Sequence, residues 1–108
     1  MTARLLYLWE QPTDPEAFER HYRETHIPLA LKLPALRSYS ITDDVSALRG
    51  EPCFRVAELR WDTMDDLRTA FAAPEGRACA DDVQELLRYT TARAMILGDA
   101  EEQAEEKL

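Results

Sequence analysis

Among the side chains of this sequence, His26 is the first candidate for chemistry. Imidazole is the one group whose ordinary pKa lies near neutral pH, so it can both take and give a proton. It stands in the run Asp14-Pro15-Glu16-Ala17-Phe18-Glu19-Arg20-His21-Tyr22-Arg23-Glu24-Thr25-His26-Ile27-Pro28, which reads as a helix with a functional end. A helix C-terminus favours the charged ring and partial burial the neutral one, and the sequence leaves the two effects opposed. The plainer alternative is a histidine at a core edge, satisfied by a backbone carbonyl. His21 lies five residues earlier, about 140° away around an α-helix, so the two rings do not clamp one metal and His21 reads as solvated. Tyr22, one turn before His26, and Tyr39, on a strand the helix must cover, each offer a phenol to a ligand or to the imidazole. The alternative for both is a core aromatic with its hydroxyl satisfied. Glu58, among apolar neighbours in a strand, is a candidate for a raised pKa; otherwise it pairs with Arg55 or Arg60 or faces solvent. Arg37 could grip a carboxylate. There is no Gly-rich phosphate loop, no Gly-x-Ser-x-Gly and no His-x-x-x-His or Cys/His metal spacing, so neither a nucleotide nor a fixed metal is expected.

The elements that must position these groups are readable from start signals and periodicity. Asp14 can cap a helix that Pro15 opens, with Glu16 and Glu19 at the favourable end of its dipole. Phe18, Tyr22, Thr25 and Leu29 share one narrow stripe, with His26 beside it, and Pro28 ends the helix near His26. A short helical turn from Pro28 to Lys32 follows, closed by Leu33-Pro34. Arg4 to Glu10 reads as a first strand covered on both faces, Leu36 to Thr42 as a second with Tyr39 and Ile41 on one face, and Cys53 to Trp61 as a third. Residues 43–52 form a polar connection. Thr63 caps a second helix through Ala72, with Met64, Leu67 and Phe71 inward. Pro74-Glu75-Gly76 reads as an interruption before a third helical piece, Ala78 to Arg88, with Asp81 and Asp82 in its opening turns. Tyr89 to Leu97 is the last strand. The order β-α-β-β-α-β predicts a ferredoxin-like α+β fold, a four-stranded antiparallel sheet with both helices on one face. The bare face of such a sheet needs cover, and a second copy of the chain is the simplest, which predicts a homodimer.

At 108 residues and 45% apolar content the chain reads as one domain, residues 1–98, followed by an acidic tail, residues 99–108, expected to be disordered or a solvated helix. Five acids against one lysine in that tail carry half of the net charge of -8. No cluster of lysine and arginine interleaved with aromatics offers counter-charge to a phosphate backbone, so nucleic-acid binding is not expected. The apolar run Leu5 to Trp9 is too short to span a membrane or form a signal core, and the cytoplasm is the expected location. Cys53 and Cys79 lack a Cys-x-x-Cys spacing and read as inert thiols.

Phe18-x-x-His21-Tyr22-x-x-x-His26-x-Pro28, then Leu33-Pro34-x-Leu36-x-x-Tyr39 and Ala57-Glu58-Leu59-x-Trp61, make the chain resemble the EthD-like family of dimeric α+β barrel proteins. The resemblance runs from about Leu5 to Leu97. It implies a ferredoxin-like subunit, two sheets paired into a dimeric α/β barrel, a pocket between sheet and helices in each subunit, small organic substrates and usually no cofactor. Antibiotic-biosynthesis-type monooxygenases share this barrel class. A related enzyme, methylmuconolactone methylisomerase, is similar in using the histidine of His-x-Pro and the tyrosine after Leu-Pro, which fall here on His26 and Tyr39. It also uses a cysteine after the third strand, where this chain has Thr63 to Leu67 and none. The resulting expectation is a cofactor-free enzyme on a lactone, quinone or phenol. His26 would be its acid and base, Tyr39 and Tyr22 would orient the substrate, and Trp9, Phe54 and Trp61 would supply apolar walls. A monooxygenase or reductase, or a non-catalytic binding module, are the alternatives.

Overall fold

The structure, a computed structural model, describes residues 2–104. Four strands, β1 (Ala3–Trp9), β2 (Ser38–Thr42), β3 (Arg55–Trp61) and β4 (Ala92–Leu97), form one sheet in the order β2-β3-β1-β4 with every neighbouring pair antiparallel. With both helical layers packed on one face, this is the ferredoxin-like fold. Alternation decides the faces. Ala3, Leu5, Tyr7 and Trp9 of β1 lie beside Trp61, Leu59, Ala57 and Arg55 of β3 under the helices. Leu6, Leu8, Val56, Met95 and Leu97 share the open face with Arg4, Glu58 and Arg60. Glu58 is therefore not buried among the helix-side residues; it pairs with Arg4 at 3.5 Å on the half-exposed open face.

The first helical segment begins as its capping residues dictate. Asp14 accepts a hydrogen bond from the Ala17 amide at 3.1 Å, and Pro15 opens α1 (Pro15–His21). It does not end at His26. A single π-helical turn, Tyr22–His26, closed by the Ile27 N–H donating to the Tyr22 carbonyl, carries the chain into α2 (Ile27–Ala30). The wider turn accommodates Pro28, whose missing amide and bulky ring an α-helical interior does not tolerate. It also resets the buried row, which runs Phe18, Tyr22, His26, Ala30, while Thr25 turns to solvent. After α2, Ala35 adopts φ 59°, and β2 starts at Ser38, two residues later than its pattern suggested.

Thr63 caps α3 (Met64–Ala72), accepting from the Asp66 amide at 3.0 Å. Pro74-Glu75-Gly76 is not a break: Pro74 occupies the first position of α4 (Pro74–Leu86). Gly76 is there because α4 lies against the end of α3. A Cβ at this position would stand 2.1 Å from the Ala70 carbonyl oxygen. The core forms two clusters, one around Trp61, Leu59, Leu67 and Leu33, the other around Trp9, Phe18, Tyr22 and Leu86. Residues 99–104 hold neither helix nor strand; the last four residues of the acidic tail lie outside the described residues, as does Met1. No helix among the described residues is long and apolar enough to cross a membrane.

Candidate functional site

A cavity of about 220 Å³ opens at the seam of the two core clusters, between the sheet and α4. Leu5, Tyr7 and Trp9 of β1, Ala57 and Leu59 of β3 and Tyr39 of β2 form its floor. Tyr22, His26 and Ala30 close one side, and Phe71, Cys79, Ala80 and Val83 the other. The described residues of its walls include no Asp, Glu, Lys or Arg. Ile96, more than half exposed on the edge strand β4, marks an apolar rim.

His26 is 6% exposed, and its Nδ1 lies 3.0 Å from Oδ2 of Asp82 on α4. The other oxygen of that carboxylate, Oδ1, lies 2.8 Å from Nε2 of His21. A carboxylate only accepts, so Nδ1 of His26 carries the proton and Nε2 keeps its lone pair. Burial holds the His26 pKa below 6.5, opposed by Asp82 and reinforced by His21. At neutral pH the ring is thus an uncharged base with one tautomer fixed and, among the described residues, one nitrogen free of protein partners.

Two phenols sit beside it. The Tyr22 and Tyr39 hydroxyls are 2.7 Å apart, so one donates to the other and the acceptor's own hydrogen remains available. Burial raises the pKa of both, that of Tyr39 further through Tyr22, which keeps them protonated donors. The Tyr22 ring lies 5.4 Å from the His26 ring and 6.1 Å, edge-on, from Trp9, and Trp9 stacks on Tyr7 at 5.3 Å. Beneath Tyr22 lies the fully buried guanidinium of Arg55, 4.6 Å from the ring centroid, which binds Asp43 at 2.6 Å and Glu19 at 2.7 Å. Burial opposes its charge, yet these two carboxylates raise its pKa above the usual value and pin the connection after β2 to α1. Cys79, in the cavity wall, is a buried thiol pushed up to about 11 by burial and by Asp82, and so stays protonated.

Four of the residues singled out in the sequence, Trp9, Tyr22, His26 and Tyr39, meet in this cavity; Phe54 and Trp61 do not line it. Trp61 faces the helices but at the far end of β3, donating to the Pro34 carbonyl at 2.9 Å and packing on Phe71. Phe54 precedes β3 and packs edge-on against Phe18. Arg37 does hold a carboxylate, that of Asp62, through two hydrogen bonds at the surface. Among the described residues no group of three or more His, Cys, Asp or Glu is arranged to bind a metal.

Residues 10–88, most of this domain including the helix that carries His26, match the EthD domain. The chain belongs to the EthD domain family. An uncharacterized 11.0 kDa protein from the thcB-thcC intergenic region of Rhodococcus erythropolis is 32% identical over 82 residues, covering 74% of this chain and 79% of that protein. An EthD family protein of Bacillus halodurans has a similar structure, with TM-score 0.79 and 32% identity over 93% of this chain and 100% of the other. The structure of SnoaB, a cofactor-independent oxygenase from Streptomyces nogalater, aligns with TM-score 0.66 and 17% identity over 96% and 98% of the two chains, a likeness of fold.

Asp82, whose carboxylate meets Nδ1 of His26 in this EthD domain, is not among the candidates the sequence offers, and His21, which reads there as solvated, binds the same carboxylate. The signal for Asp82 was an acid within the apolar stripe Cys79, Val83, Leu86, two turns into α4. Starting that helix at Ala78 made the same acid look like an N-terminal charge. For His21 the missing piece is the π-turn, which brings residues five apart toward one face instead of leaving them about 140° apart.

Proposed function

We propose that this EthD domain is a cofactor-free enzyme acting on a small, largely apolar, oxygen-bearing molecule of lactone, quinone or phenol type, with His26 as general acid and base. The observation that carries this reading is the free nitrogen of a tautomer-fixed imidazole in an apolar cavity of about 220 Å³. In the forward step Nε2 takes a proton from the substrate, and the electron pair stays on the substrate as an oxyanion or its conjugated carbanion. The imidazolium so formed is stabilised by Asp82, in the way a buried carboxylate supports a catalytic histidine elsewhere. In this reading the free hydrogen of the Tyr22–Tyr39 pair donates to the oxygen that gains charge, and low polarity around it strengthens that bond. Trp9 supplies a flat wall for a ring. Return of the proton from Nε2 to another atom completes an isomerisation.

The likeness to a cofactor-independent oxygenase favours a second reading, in which the carbanion formed by His26 is consumed by dioxygen. Turnover that stops without oxygen assigns that reading, and turnover that continues assigns isomerisation. Binding without any turnover would make the chain an accessory protein. We also place a second copy of the chain over the open sheet face, where Leu6, Leu8, Val56, Met95 and Leu97 form an apolar patch, Met95 being 40% exposed. The cytoplasm is the proposed location. Denaturing extraction followed by mass spectrometry identifies what the cavity holds. Turnover of that compound by His26→Gln then tests the role of the imidazole, and unchanged turnover in a folded variant overturns it.

A further inference from the structure

His21 does not line the cavity, yet it touches the same carboxylate as His26, at 2.8 Å on Oδ1 against 3.0 Å on Oδ2. Asp82 is 8% exposed, while the His21 side chain is 28% exposed, so one imidazole of the trio faces the buried cavity and the other meets solvent. The π-turn is what makes this possible, because it brings residues 21 and 26 to the same helix, α4, and to two oxygens of one residue.

Two physical consequences follow from that geometry. The terminal torsion of an aspartate is broad and soft, so a carboxylate held at one oxygen can swing; held at both, it presents Oδ2 to Nδ1 of His26 in one orientation. The second consequence is electrostatic. The outer ring can take a proton from water on its Nδ1, and a cation 2.8 Å from Oδ1 offsets the negative charge that would otherwise stabilise a proton on His26.

We propose that His21 is a positioning residue for the His26 base: it clamps Asp82 against Nδ1 of His26, and a proton acquired from solvent on its own ring weakens that base. This rests on the reading of His26 as the base. The titratable groups around His26 are Asp82 and Cys79 on α4, Tyr22 on its own turn, Tyr7 and Tyr39 on the sheet across the cavity, and His21. Burial keeps the thiol and the three phenols protonated, so among the described residues Asp82 and His21 are the groups that act on it through charge.

The test needs no substrate. Side-chain ¹H–¹⁵N spectra of the full chain, recorded from about pH 5 to 8 where imidazole titrates, report the tautomer and titration of His26 in the wild type, in His21→Gln and in His21→Leu. The wild type should show His26 as the Nδ1–H tautomer, with its titration held low. His21→Gln keeps an N–H donor for Oδ1 but carries no charge, so the tautomer should persist and the His26 titration should be displaced to higher pH. His21→Leu has no donor, and its His26 should populate both tautomers. A His26 titration in His21→Gln identical to the wild type overturns the electrostatic half, and a pure Nδ1–H tautomer in His21→Leu overturns the clamp. If His21→Leu does not fold, a mixed tautomer in His21→Phe serves in its place, and the glutamine variant still decides the charge effect. A merely structural His21 would lower the stability of these variants without moving either signal. Because turnover by His26→Gln is measured separately, failure of the base reading and failure of the His21 proposal give different results.

Discussion

Replacing Asp82 with alanine takes both acceptors away from the two imidazoles in one step. The two rings then meet different fates. His21, more than a quarter exposed, can turn its Nε2–H to water at little cost, whereas the His26 side chain is only 7% exposed and its Nδ1 loses its one polar partner among the described residues. In either tautomer of the ring that nitrogen is left without a partner, and an unsatisfied buried group of this kind costs about 1–3 kcal/mol. For a chain of this size each kcal/mol lowers Tm by about 4–8 °C, so Asp82→Ala should melt about 5–20 °C lower. A double-mutant cycle with His26→Phe, which keeps a ring but no nitrogen, isolates the pair. Urea unfolding of the two single variants, the double variant and the wild type should give a coupling of about 1–3 kcal/mol. Additivity within about 0.5 kcal/mol would refute the claim that Asp82 is held for His26 rather than for the packing of α4.

Three further perturbations probe other links. Gly76→Ala forces a methyl to within 2.1 Å of the Ala70 carbonyl and 2.5 Å of the Phe71 Cα, both backbone, and should destabilise by about 3 kcal/mol in chemical denaturation. Since His26 is harder to protonate in the fold than in the unfolded chain, the unfolded state binds more protons just below pH 6.5. Stability should therefore fall as pH drops from 6.5 through the lower folded value, and His26→Gln should flatten that part of the profile. Leu8→Lys places a charge in the middle of the apolar open face; light scattering should find the wild type as a dimer and this variant as a monomer, and equal masses would remove the proposed interface.

The parts of this molecule that were legible in the sequence are those set by local chemistry. The capping of α1 by Asp14 and of α3 by Thr63, the alternation that turns Tyr39 and Ile41 inward, and the element order that defines the fold all rest on neighbouring residues. What stayed hidden depends on how elements meet. Pro28 signals the end of a helix, and only the packed structure shows the chain passing it by a π-turn that swings His26 into the buried row. Pro74 and Gly76 look like a break, yet the first opens α4 and the second fits it against α3, and misplacing that start disguised Asp82. Trp61 shares the helix-side face of β3 with Ala57 and Leu59, but position along the strand decides that Ala57 and Leu59, rather than Trp61, reach the cavity.

In the proposed function the free nitrogen of His26 is the group that moves the substrate's proton. The most direct measurement is kcat for the compound extracted from the cavity, compared between the wild type and a His26→Gln variant of matched thermal stability. Loss of about 10²–10⁴-fold is expected for removal of a positioned general base. A variant that turns over as fast as the wild type would contradict it.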